Sequence, residues 1–189
     1  MKFIFFMHGS AKRLFSVSFI FALLAGCATG GYQDPVGSDV AKIRLISDLS
    51  NSTFNYFDAQ NCSGKTTGLL NNWMAVDTKR RVDMAVPPPK NAKNYIEIGL
   101  RAGHEVMLQA NTMSNSGGSV CGIGFALVPQ AHAEYEAVFT MIENYCALTV
   151  SQLQSFNGKV ERVRLPVNRS GLAECAGKSI FFPEKPAND

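Results

Sequence analysis

Ala133-Glu134-Tyr135-Glu136-Ala137-Val138-Phe139-Thr140-Met141-Ile142 sets the fold class of this chain. Tyr135, Ala137, Phe139 and Met141 take the odd positions, and Glu134, Glu136 and Thr140 fall between them. Successive strand side chains point to opposite faces, so this spacing predicts a strand with one face in a core and a wet face carrying the two glutamates. The same alternation recurs outward along the sequence. Ala41, Ile43 and Leu45 alternate with Lys42 and Arg44; Val82, Met84 and Val86 with Arg81 and Asp83; Ile96, Ile98 and Leu100 with Tyr95 and Glu97. Val106, Leu108 and Ala110 give another strand, Phe54 with Tyr56 a shorter one, and Val163 with Leu165 a last one.

Turn-forming residues punctuate these runs at 61–64, Pro87-Pro88-Pro89, Ala102-Gly103, 115–118, 129–131 and Asn157-Gly158. Seven to nine short strands without a long amphipathic helix predict an all-β chain, an antiparallel sandwich of immunoglobulin-like type. In 119–128, Cys121 shares a face with Ile123, Phe125 and Leu127, and in 144–153, Cys146 shares one with Leu148 and Val150. Both therefore face the core, whereas Cys62 and Cys175 sit in turn-rich segments. Each loop cysteine is expected to staple a strand cysteine, Cys62 to Cys121 and Cys146 to Cys175, at about 3 to 4 kcal/mol per bridge.

The first residues have a different character. Lys2, Lys12 and Arg13 precede an apolar run from Leu14 to Leu24, and small residues follow. That is the layout of a secretory signal, too short to span a membrane, with Met7 an alternative start because the apolar stretch Phe3-Ile4-Phe5-Phe6 precedes most of its charge. The run ends in Leu24-Ala25-Gly26-Cys27, which resembles the lipobox of bacterial lipoproteins. The resemblance covers the first 27 residues. It implies a diacylglyceryl group on the Cys27 sulfur, cleavage just before Cys27, and acylation (palmitate or a similar chain) of the new amino terminus. Several acyl chains hold a protein firmly where one chain holds it marginally. Ala28, rather than Asp, follows the lipid cysteine, which in that family implies the outer membrane, facing the periplasm.

The organisation expected is a signal peptide over 1–26, a lipidated flexible tether over 27–38, a sandwich over 39–182 and a loose tail over 183–189. Three of the 18 Lys and Arg residues lie in the signal, and the remaining 15 equal the 15 Asp and Glu, so the mature chain is neutral. Neutrality argues against nucleic acid as a partner, since that needs a basic excess or stripe. Cys62, Cys121, Cys146 and Cys175 are an even set in an exported chain, as two disulfides require. Without a Cys-x-x-Cys spacing, and with His104 and His132 the only histidines of the mature chain, neither a metal site nor any other cofactor is expected.

Gly64-Lys65-Thr66 is similar to the end of a phosphate-binding loop, but Ala59 stands where that loop needs glycine, so a solvated turn is expected. No serine sits in a Gly-x-Ser-x-Gly elbow, and both histidines read as turn residues. Trp73, the only tryptophan, is a candidate sugar-stacking platform, although its apolar neighbours Leu69, Leu70, Met74 and Val76 favour a core or edge position. The reading is a noncatalytic envelope lipoprotein, an accessory or assembly subunit that binds another envelope protein. A carbohydrate-binding module is the alternative, and a hydrolase the third.

Overall fold

A computed structural model of the chain describes residues 31–58, 64–113, 120–143, 145–156 and 158–166. The chain divides into a unit Met1–Gly31 and a unit Tyr32–Asp189, and the fold is that of the second. Its strands are β1 Val40–Ser47, β2 Ser52–Asp58, β3 Gly64–Leu70, β4 Tyr95–Arg101, β5 Val106–Met113, β6 Val120–Leu127, β7 Glu134–Ile142, β8 Tyr145–Phe156 and β9 Lys159–Arg164. They form two sheets in the orders β4-β1-β7-β8-β9 and β3-β2-β5-β6. No helix occurs among the described residues. The expected all-β sandwich is thus the observed architecture, with one departure from purely antiparallel pairing: β1 runs parallel to β7.

The core lies between the sheets and is built by the period-two residues. Ala41, Ile43 and Leu45 of β1, Ile96, Ile98 and Leu100 of β4 and Ala137 and Phe139 of β7 are fully buried there. Phe54, Leu108, Ala110 and Phe125 meet them from the second sheet, and Phe54 packs edge-on against Phe139 with ring centroids 6.4 Å apart. Truncating such a side chain costs about 3–5 kcal/mol, because the lost contacts are not replaced.

Cys121 of β6 and Cys146 of β8 also turn inward, and they are bonded to each other, with Cα atoms 6.2 Å apart. This corrects the expected pairing of each with a loop cysteine. The reason is strand placement: β6 and β8 face one another across the core, so two cysteines on inner faces meet there. Cys62 and Cys175 lie outside the described residues, as do the signal peptide, Cys27 and the tail over 183–189.

Three further expectations are corrected. The strand expected around Val82, Met84 and Val86 does not form. Asp83 takes a left-handed φ of 53°, Pro87 to Pro89 offer no amide hydrogens, and the backbone bonds instead to side chains of the five-stranded sheet. Residues 78–93 form an irregular strap. Second, Gly64-Lys65-Thr66 begins β3, where Lys65 pairs with Tyr56 and Thr66 with Asn55, so it is strand and not a solvated turn. Third, the expected tether over 27–38 is already docked at Tyr32. The Tyr32 amide donates to the Thr66 carbonyl at 3.1 Å, its hydroxyl donates to the Gly99 carbonyl at 2.5 Å, and its ring lies 4.7 Å from that of Tyr56. Arg80 of the strap closes over this ring, donates to the Tyr32 carbonyl and pairs with Asp34 at 2.7 Å.

Gly68 shows how closely the strap approaches the sheets. A Cβ there would stand 2.8 Å from Ile96 Cδ1 and 2.9 Å from Thr78 Cβ. Only glycine leaves space for both, so the β3 to β4 edge closes where the strap begins.

Candidate functional site

The outer face of the five-stranded sheet carries the chemistry that the alternation assigned to water. Arg44 pairs in register with Glu97 on β4 and with Glu136 on β7, so one cation stands between two carboxylates. Arg44 is 1% exposed, Glu97 3% and Glu136 2%, which corrects the wet face expected for these positions. Arg44 donates to Glu97 Oε1 from Nε at 3.0 Å and from Nη2 at 2.8 Å, to Glu136 Oε2 at 3.2 Å, and to the Val86 carbonyl of the strap at 2.5 Å. Arg162 of β9 donates to Glu136 Oε1 at 2.8 Å. Two guanidiniums thus balance two buried carboxylates, Arg44 shielded from water and Arg162 reaching in from the exposed edge strand.

The strap is held by the same face. Ala85 and Val86 donate their amides to the two oxygens of Glu134 at 2.6 and 3.0 Å, and Val82 donates to Glu97 Oε2 at 3.3 Å. Lys42 donates to the Asp83 carbonyl at 2.8 Å. Glu134 and Glu136 thus both hold structure, Glu134 the strap and Glu136 the two guanidiniums, and Glu136 also lines the cleft beside residues 89–93. The Arg81 guanidinium stacks 3.7 Å from the centre of the Tyr95 ring, adding an aromatic clasp.

Where the strap lifts from the sheet, a cleft of about 680 Å³ opens beside residues 89–93. Ile46 and Val138 form its floor. Asp48, Asn71, Asn91, Lys93, Thr140 and Arg162 supply polar groups around it, and the Thr140 hydroxyl donates to Asp48 at 3.4 Å. An apolar floor with a few convergent donors and acceptors is binding chemistry. Register places the cleft at the end of the sandwich where β1, β3, β5 and β7 terminate.

The same end bears exposed apolar side chains. Met113 closes β5, Met141 and Ile142 close β7, and Tyr145 opens β8; all four are exposed. Register ties them to the disulfide. Thr112 opposes Cys121, Met141 opposes Cys146, and Ile142 opposes Tyr145. Trp73 stands on a loop beyond β3 and is 66% exposed, so the core or edge position expected from its neighbours is not where it lies.

Other candidates stay apart from this end. His104 and His132 are exposed in the β4 to β5 and β6 to β7 connections, at the opposite end of the sandwich. Among the described residues, no group of three His, Cys, Asp or Glu side chains is arranged to hold a metal ion. The cleft residues escaped the sequence reading because they come from β1, the β3 to β4 segment, β7 and β9, and no local spacing joins them. The chain matches no known family model, and no curated protein matches it by sequence.

Proposed function

We propose that this chain is an envelope lipoprotein anchored through Cys27 at the outer membrane, facing the periplasm, and that its sandwich acts without catalysis by binding another envelope protein as an accessory or assembly subunit. The observation that carries this reading is the exposed set Met113, Met141, Ile142 and Tyr145 beside the disulfide at one end. Methionine and tyrosine are enriched in the cores of protein interfaces, where flexible and aromatic side chains fill a partner's pockets. The bridge between β6 and β8 pre-organises this surface, which lowers the ordering cost of docking.

Affinity capture from crosslinked envelopes tests it, comparing the native chain, Cys27→Ser and the pair Ile142→Ser with Tyr145→Ser. A specific protein recovered with the native chain and lost with the double variant is the expected result. An unchanged set of recovered proteins contradicts the docking surface. Native protein found unlipidated in the soluble periplasm contradicts the anchor.

The cleft favours a second reading, a carbohydrate-binding module for cell-wall or capsular glycan. Its amide and hydroxyl side chains over an apolar floor suit a polyhydroxylated ligand; Trp73, exposed on the loop that follows the cleft residue Asn71 but not itself lining the cleft, is the candidate stacking face. Titration with a glycan panel checks it: saturable binding weakened by Asn91→Ala supports this reading, and no binding across the panel removes it.

A further inference from the structure

Beyond β3 the chain runs Asn71-Asn72-Trp73-Met74-Ala75-Val76-Asp77, with no ionisable side chain before Asp77. Trp73 is 66% exposed, Met74 77% and Val76 87%. Such side chains usually turn inward when a loop is free to fold over them. Here the backbone is fixed so that they cannot. The Asn72 amide donates to Asp77 Oδ1 at 3.0 Å and the Trp73 amide to Asn51 Oδ1 at 3.3 Å, while Asn72 Oδ1 accepts the amides of Met74 at 2.9 Å and Ala75 at 2.8 Å. Asn71, at a left-handed φ of 53°, anchors the base by donating to the carbonyls of Ser47 and Leu49.

Four consecutive amide hydrogens, 72 to 75, are thus satisfied within the protein, three inside the loop and that of Trp73 by Asn51, and the Asp77 carboxylate is turned inward as an acceptor. That lowers the cost of taking this backbone out of water, since these amides lose no hydrogen bond when the tip meets a bilayer. A protein partner commonly exchanges hydrogen bonds at the rim of its interface. This tip has already consumed those donors.

We propose that the loop over residues 72–77 is a membrane-contact tip, in which Trp73, Met74 and Val76 enter the interfacial layer of the bilayer that holds the chain. Tryptophan favours that layer because its ring is apolar with one polar edge. The strap that follows carries exposed Lys79, Lys90 and Lys93, cations suited to anionic headgroups. The location rests on anchoring through Cys27, and chain length fits it. Four residues lie between Cys27 and the docked Tyr32, so five Cα-to-Cα steps give a reach of at most about 18 Å. The strand from Thr66, which binds Tyr32, to Asn71 rises about 17 Å. One bilayer can therefore hold the anchor and receive the tip. The lipid would make the tip's encounter with the bilayer effectively intramolecular.

Trp73 is the sole tryptophan, so its fluorescence reports this loop alone. The test couples residues 27–189 through the Cys27 thiol to maleimide-headed lipid in vesicles of phosphatidylethanolamine and phosphatidylglycerol at about 3:1, a headgroup mixture with anionic surface charge. The expected result is a blue shift of Trp73 emission and quenching by acyl-brominated lipids, with about tenfold less inserted tip in the pair Met74→Ser with Val76→Ser. Emission and quenching identical to the uncoupled chain, or unaffected by that pair, overturn the proposal. A shift seen only when envelope protein extract is added also overturns it, in favour of a protein partner. Coupling supplies the anchor whether or not the cell does, and mass analysis of native Cys27 tests that separately.

Discussion

Over the central part of β1, β4 and β7, the two faces of the five-stranded sheet are both dry, but for opposite reasons. Its inner face is closed by apolar packing of Ile43, Ile98 and Phe139 against the second sheet. Its outer face is closed by the strap over 78–93, pinned by carboxylates on β4 and β7 and by Arg44 between them. Apolar packing tolerates small misfit, whereas a buried charge tolerates no missing partner. The outer face is accordingly where a single substitution acts most sharply.

Arg44→Ala should cost about 3–5 kcal/mol by denaturant unfolding, as much as a large core truncation, because it leaves Glu97 and Glu136 without their shared cation. Arg44→Lys should recover only part of that, since an ammonium cannot reproduce the forked contact to Glu97. A loss no larger than that of an exposed salt bridge would break the comparison. On the inner side, replacing Cys121 and Cys146 together by alanine should cost about 3 kcal/mol, because the bridge closes a loop of 25 residues in the unfolded chain. The bridge contributes through the unfolded state; Arg44 contributes through the folded one.

Tyr32→Phe probes the seam between the docked N-terminal segment and the sheets. It should cost about 1 kcal/mol at neutral pH through loss of the bond to Gly99. Burial, reinforced by Tyr56 and Asp34 and opposed by Arg80 and Arg101, raises the Tyr32 phenol above its ordinary value. Its contribution is complete below about pH 10, the unfolded value, and falls as pH rises beyond it because the unfolded chain ionises first. Alkaline unfolding of Tyr32→Phe should show a shallower loss of stability there than the native chain. The smallest effect belongs to the tip: Trp73→Ser should change stability by less than about 0.5 kcal/mol, since its side chain lies outside both closed faces.

The inner face was legible because alternation over eight to nine residues, as in β1 and β7, has no other explanation than a half-apolar strand. The outer face was not, because Lys42, Arg44, Glu97 and Glu136 have the same pattern whether water or a strap covers them. Val82, Met84 and Val86 misled for a related reason: their alternation is real, but Asp83 and three prolines leave the backbone to bond with carboxylates from other strands. The Cys121 to Cys146 bridge needed the strand order, which places β6 over β8 and is fixed by contacts distant in sequence. The tip was visible as a lone tryptophan among apolar neighbours, and its exposure follows from side-chain caps that no periodicity records.

Native-state hydrogen exchange at Ala85 and Val86 tests most directly whether the outer face is a closed layer. Their amides are predicted to exchange as slowly as those of β1 beneath them, and Glu134→Gln, which weakens the charged acceptor, should speed both. Exchange at the rate of an unstructured peptide, unchanged in Glu134→Gln, would show that the strap stands open and that the charged face of the sheet is wet.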